Sequence, residues 1–248
     1  MSLELFADGG YRFIPGVFQY SAGVVAEPGM RIERAVFAKP VPLAAGFDLI
    51  EKHLASLGRP ATAFCACELR SPEPFTEQGF RDFNAQYGAV LERWQILRDG
   101  VNPVARSNVC PELDPPGEPS FYAFSYTVQD ADAPPSFVVA GSGECPEGKG
   151  DYRDNVVARG DLSTSGLQTK VRWVLGEMER RLGLLGFDWA TTTGAQVYCV
   201  HDFHAHVGSE IVSRGAMRAG LNWHYARPPV QELEYEMDCR GLPREIVI

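Results

Sequence analysis

Arg106 lies in the run Pro103-Val104-Ala105-Arg106-Ser107-Asn108-Val109-Cys110, between two acidic, proline-studded passages. A guanidinium is planar, permanently charged and forked. Among small neighbours it suits a two-point grip on a carboxylate or phosphate, although an arginine closing a surface strand has the same local pattern. Later, Leu233-Glu234-Tyr235-Glu236 sets two carboxyls on one side of a strand by its period of two. A carboxyl at an open strand end can hold a water and carry protons, and a solvent-facing strand glutamate looks alike in sequence. His201, His204 and His206 invite a metal reading. In a strand His201 and His204 face opposite ways, and in a helix His204 and His206 point about 200° apart, so no metal is expected. The chain carries no Walker A, G-x-G-x-x-G or G-x-S-x-G element, so neither a nucleotide cofactor nor serine-hydrolase chemistry is expected.

Composition narrows the class. Asp and Glu number 32 against 23 Lys and Arg, a net charge of −9 without a basic cluster, which argues against nucleic acid or an anionic membrane as partner. The opening residues have neither the basic nor the apolar region of a signal peptide, and no apolar run approaches a membrane span, so a cytoplasmic protein is expected. Cys65, Cys67, Cys110, Cys145, Cys199 and Cys239 lack C-x-x-C spacing and read as buried thiols.

These residues need elements to position them, and the order of elements repeats. In the first half, 17–26 reads as a strand, 46–60 as a helix with Phe47, Ile50, Leu54 and Leu57 inward, 61–70 as a strand and 75–91 as a helix, with Ala105–Cys110 and 120–128 as a closing pair. In the second half, 136–144 reads as a strand and Val171, Val174, Leu175, Met178 and Leu182 mark a helix. Residues 193–203 follow as a strand, the segment opening at Phe203 as a second helix, and 220–228 with 231–239 as a final strand pair. The halves divide in 129–136, where two prolines follow two aspartates, so units of 1–130 and 131–248 are expected.

Several motifs resemble the YjgF/RidA family of enamine/imine deaminases: Phe80-x-x-Phe83-Asn84, Ala105-Arg106-Ser107-Asn108-Val109 with Pro115 nine residues after Arg106, Ser142-Gly143, and Pro228 six residues before Glu234. The chain resembles two such units fused. The resemblance implies an α+β fold of two tandem chorismate-mutase-like, YjgF-like units, each a mostly antiparallel sheet with two helices on one face. It implies cofactor-independent hydrolytic deamination of a small enamine or imine carboxylate, 2-aminomuconate-like or 2-aminoacrylate-like. A chorismatase-like hydrolase and a non-catalytic carboxylate binder are the alternatives.

By the same resemblance Arg106 is the carboxylate clamp, Glu234 holds the water and moves protons, and Asn84, Ser142, Gly143 and Glu236 bind substrate. The halves have drifted. Counting six residues from Pro115 reaches Phe121 and not a carboxylate, the second half's arginine candidate is Arg218, ten residues before Pro228, and Val207 stands where an asparagine is expected. Arg106 and Arg218 therefore compete as the clamp. Single-unit relatives close three sheets about a three-fold axis, so a chain of two units is expected to form a homotrimer of six, with one working class of cleft.

Overall fold

The computed structural model describes residues 2–149 and 151–248. Three short N-terminal strands, β1 (Glu4–Phe6), β2 (Tyr11–Ile14) and β3 (Gly23–Ala26), precede the long strand β4 (Met30–Pro42). Helix α1 (Leu43–Ser56), β5 (Phe64–Arg70), α2 (Glu77–Arg93), β6 (Ala105–Pro111) and β7 (Ser120–Gln129) complete the first half. The second half runs through β8 (Phe137–Gly143), α3 (Tyr152–Asn155), α4 (Thr164–Leu185), β9 (Gly194–Cys199), α5 (His204–His206), β10 (Asn222–His224), β11 (Ala226–Arg227), β12 (Tyr235–Gly241) and β13 (Arg244–Val247). They form two mixed, mainly antiparallel sheets, one ordered β1-β2-β3-β8-β12-β9-β10 and the other β11-β6-β5-β7-β4-β13.

The long helices form where the apolar periodicity places them. In α1, Phe47, Ile50 and Leu54 are buried on one stripe, and the chain leaves it through Gly58 at φ +66° and Pro60. Thr76 caps α2 by accepting the Gly79 N–H at 3.1 Å, and the buried stripe Phe80, Phe83, Tyr87 and Leu91 includes Asn84. Ser163 caps α4 in the same way, and Gly186 ends it at φ +87°. Burying each such large apolar side chain contributes roughly 1.5–3 kcal/mol.

Four expectations differ from the structure. Leu57, expected on the inward face of α1, lies just past the helix end and is exposed. The second helix of the second half is present but irregular: α5 runs on into a π-helical turn through Val207–Ile211 and a 3-10 turn through Val212–Arg214, because Gly208, Gly215 and the β-branched Val207, Ile211 and Val212 disfavour a regular α-helix. The expected final strand pair does not pair with itself: β10 runs parallel to β9, β11 joins β6 of the other sheet, and β12 inserts between β8 and β9. The strand expected over 17–26 is regular only from Gly23, the preceding residues forming a turn closed by a Val17–Tyr20 bridge.

Strands also cross the middle of the chain. β1–β3 join β8 in the sheet of the second half, and β13 joins β4 in the sheet of the first. One apolar core lies chiefly between α1, α2 and the first-half sheet, another between α4 and the second-half sheet. Between the two sheets the layer is polar. Ser107 donates to Asp238 at 2.6 Å, Gln196 bridges Glu68 at 3.2 Å and Asp238 at 2.9 Å, and Arg34 grips Glu68 at 2.6 Å and Glu245 at 2.8 Å. Burial alone would raise the Glu68 carboxyl, but Arg34, helped by Arg240 and Arg70, holds it well below the ordinary carboxylate range.

Arg34→Met leaves Glu68 buried without its main partner, so urea unfolding is expected to show a loss of about 3–5 kcal/mol. Because the folded pKa of Glu68 is depressed, its contribution is present above the unfolded value of about 4.3 and is lost as pH falls below it. The variant is expected to lose much of this acid dependence.

Candidate active site

Where β6 meets β8 the structure opens a cleft, walled by Phe80, Val230 and Leu233 and floored by residues of both halves. Arg106 enters it from β6. It is 3% exposed, donates through Nη2 to Asn84 Oδ1 at 2.6 Å, and lies among the rings of Tyr87 at 4.9 Å, Tyr20 at 5.4 Å, Phe83 at 5.5 Å and Phe80 at 5.7 Å. Its Nη1 is buried without a partner. A buried guanidinium with an unmet donor in an aromatic cage is suited to receive an anion, because leaving such a donor unpaired is costly.

Glu236 enters from β12. It is 4% exposed and stands opposite Gly143 of β8 and Tyr198 of β9. Its carboxyl fits because Gly141 has no side chain, and a Cβ there would collide with Glu236 Oε1. Burial first, then the neighbouring charges of Asp238 and Glu144, push its pKa well up, with Arg181 and Arg70 opposing in part. A carboxyl in this environment keeps its proton further up the pH scale than usual and can donate it.

Asn108, two residues beyond Arg106 on the same strand face, accepts from Ser71 Oγ at 2.9 Å through Oδ1, and its Nδ2 is buried without a partner. Ser142 and Gly143 line the opposite wall, and Leu233 fills the space over Gly143. Tyr20 donates to Glu147 at 2.8 Å, and Glu147 is held by Arg181 at 2.9 Å. Cys145 lines the cleft, but burial pushes its thiol up to about 11, which leaves it a poor nucleophile.

The structure thus gathers Arg106, Ser142, Gly143 and Glu236 around one cleft, with Asn84 bonded to Arg106 from behind. It sets two candidates apart. Glu234 precedes β12, and its carboxylate binds His201 Nε2 at 2.6 Å and lies 3.8 Å from Arg227, outside the cleft lining. Glu232 in the left-handed region, at φ +74°, turns the chain there, so strand alternation begins only at Tyr235. Arg218 is on an exposed turn and donates to the Ala190 carbonyl. Asn108, Tyr20 and Gly141 are cleft residues that the sequence analysis gave no role. Asn108 alternates with Ser107 beside Arg106, which was the available sign. His201 and His204 are taken by Glu234 and Asp202, and among the described residues no group of His, Cys, Asp and Glu is arranged to hold a metal.

Comparison with known proteins gives this cleft its context. The family model of the 2-aminomuconate deaminase CnbZ matches residues 3–246. The chain belongs to that family. It is 54% identical over 246 residues, 98% of each chain, to the 2-amino-5-chloromuconate deaminase of Comamonas testosteroni. Among solved structures, a chorismatase is similar over 97% of this chain and 79% of its own at 12% identity and a TM-score of 0.52, a likeness of fold alone. The YjgF gene product of E. coli matches 44% of this chain and 81% of its own at 14% identity, with a TM-score of 0.33.

Gly141→Ala tests whether the glycine makes room for the Glu236 carboxyl. The added methyl also approaches the Ser107 backbone at 3.2 Å, so this CnbZ-family chain is expected to lose about 1–3 kcal/mol of stability on chemical denaturation, with its circular dichroism spectrum retained. Ala at Gly143 meets only a flexible leucine end, Leu233 Cδ1 at 3.0 Å, and is expected to cost less.

Proposed function

We propose that the chain catalyses cofactor-independent hydrolytic deamination of a 2-aminomuconate-type enamine carboxylate. The observation that carries this reading is the pairing, in one cleft, of an arginine with an unmet donor and a buried carboxyl whose pKa burial pushes up, in a chain 54% identical to a deaminase of 2-amino-5-chloromuconate. Arg106 would take the carboxylate beside the C–N centre, and orientation of this kind can lower a barrier by up to roughly 7–11 kcal/mol in the best intramolecular cases.

Glu236 would then give its proton to the enamine carbon β to nitrogen, forming an iminium. The resulting carboxylate takes a proton from the water that adds at the C–N carbon and delivers it to the nitrogen; as the C–N bond breaks, ammonia leaves, the carbonyl forms and the hydroxyl proton returns to Glu236. Enamine and water become the 2-oxo acid, or its enol, and ammonia. Asn84 would steady the guanidinium through Oδ1, with Ser142 and the Gly143 backbone facing the substrate across the cleft. The proposal takes Arg106 over Arg218 as the clamp and Glu236 over Glu234 as the proton carrier.

We further propose two RidA-like units per chain, a cytoplasmic location consistent with six free thiols, and a homotrimer with one working cleft per chain. A mass of three chains in light scattering supports the trimer, and a monomer or dimer overturns it.

Ammonia release from 2-aminomuconate is the direct test. Arg106→Ala is expected to lower kcat/KM at least a hundredfold and Arg106→Lys somewhat less, because lysine keeps the charge without the fork. Arg218→Ala is expected to change it little. The rate should fall on the alkaline side as Glu236 loses its proton, and Glu236→Gln, which has no proton to cycle, should be nearly inactive at every pH. Unaltered activity in Arg106→Ala would overturn the assignment.

A further inference from the structure

The cleft contains a second unmet donor that the deamination step does not use. Arg106 Nη1 and Asn108 Nδ2 are both buried and unpartnered, and both residues line the same cleft. Arg106 already has Asn84 Oδ1 on one nitrogen, so one substrate carboxylate suffices for its remaining demand. Asn108 stands two residues further along β6, about 6.6 Å at the usual strand rise, with its amide fixed by Ser71 so that the nitrogen is the free end. Nearby, Phe80, Val230 and Leu233 provide apolar wall, suited to a short carbon chain rather than to a second ion.

We propose that Asn108 is a specificity-determining residue whose Nδ2 donates to the distal carboxylate of a dicarboxylate substrate, and that Ser71 positions it. The inference rests on the deaminase reading for the identity of the reacting end, and it adds how the far end is recognised. A neutral amide suits this place. A second cation beside Glu236 would favour the ionised form of that carboxyl and work against its role as proton donor. Burying a second carboxylate without a donor, in turn, is strongly unfavourable.

Two stable six-carbon dienoates separate the ends: muconate, with a carboxylate at each end, and sorbate, with only one. In inhibition or calorimetry at pH 7.5, the wild-type chain is expected to bind muconate at least tenfold more tightly than sorbate, as a hydrogen bond to a charged group implies. Asn108→Asp keeps an acceptor for Ser71 but turns a carboxylate toward the distal end. Asn108→Leu removes the donor at similar volume. Both are expected to weaken muconate about ten- to a hundredfold while sorbate changes less than threefold, and Ser71→Ala should produce a smaller loss of the same selective kind. Equal binding of the two acids by the wild type, or an equal loss of both in the Asn108 variants, overturns the inference. Ammonia release from 2-aminomuconate by the same wild-type preparation keeps the two ideas apart. If ammonia is released while the variants do not discriminate, only the role of Asn108 falls. If no ammonia is released but muconate is still selected through Asn108, the deaminase reading falls and the dicarboxylate subsite stands.

Discussion

Lys170 and Glu144 form an ion pair at 3.1 Å with both side chains wholly buried, and the candidate site depends on it. The Glu144 carboxylate also accepts the backbone N–H groups of Glu234 at 2.7 Å and Tyr235 at 3.0 Å, while Lys170 Nζ reaches the Val157 carbonyl. A charge taken out of water needs such a full set of partners. Meeting that need ties helix α4, strand β8 and the start of β12 to one point. The clamp sets the residue at which β12 becomes regular, and so which glutamate turns into the cleft. The same carboxylate contributes to the electrostatic setting that raises Glu236.

The rest of the architecture follows a division between dry and polar layers. Each sheet buries apolar residues against its own helices, and the sheets meet each other through arginines, carboxylates and hydroxyls. That arrangement pairs most polar groups along a broad face and leaves two unmet donors, Arg106 Nη1 and Asn108 Nδ2, at the cleft beside the β6–β8 seam. Arg181 reinforces the seam from α4, wholly buried and bonded to the carbonyls of Ala140 and Gly141 and to Glu177 and Glu147.

Much of the helical scaffold was readable because its periodicity is local. The helices α1, α2 and α4 and the strands β5, β6, β8 and β9 follow from residue spacing. What could not be read depends on long-range pairing. Nothing within β13 indicates that it runs beside β4, and the short β10 and β11 separate onto different sheets. At the site, Arg106 was accessible as a lone arginine among small residues. The choice between Glu234 and Glu236 was not, because it turns on a left-handed Glu232 and on a carboxylate ninety residues earlier in the chain.

The exchange of strands across the midpoint bears on how such a chain can evolve. With β1–β3 in the sheet of the second half and β13 in that of the first, each half completes the other's sheet, so the loss of either removes strands from both. The cleft draws its guanidinium from one half and its carboxyl from the other, so selection need maintain each group only once. Loss of either half would therefore remove one of the two groups on which the cleft is built.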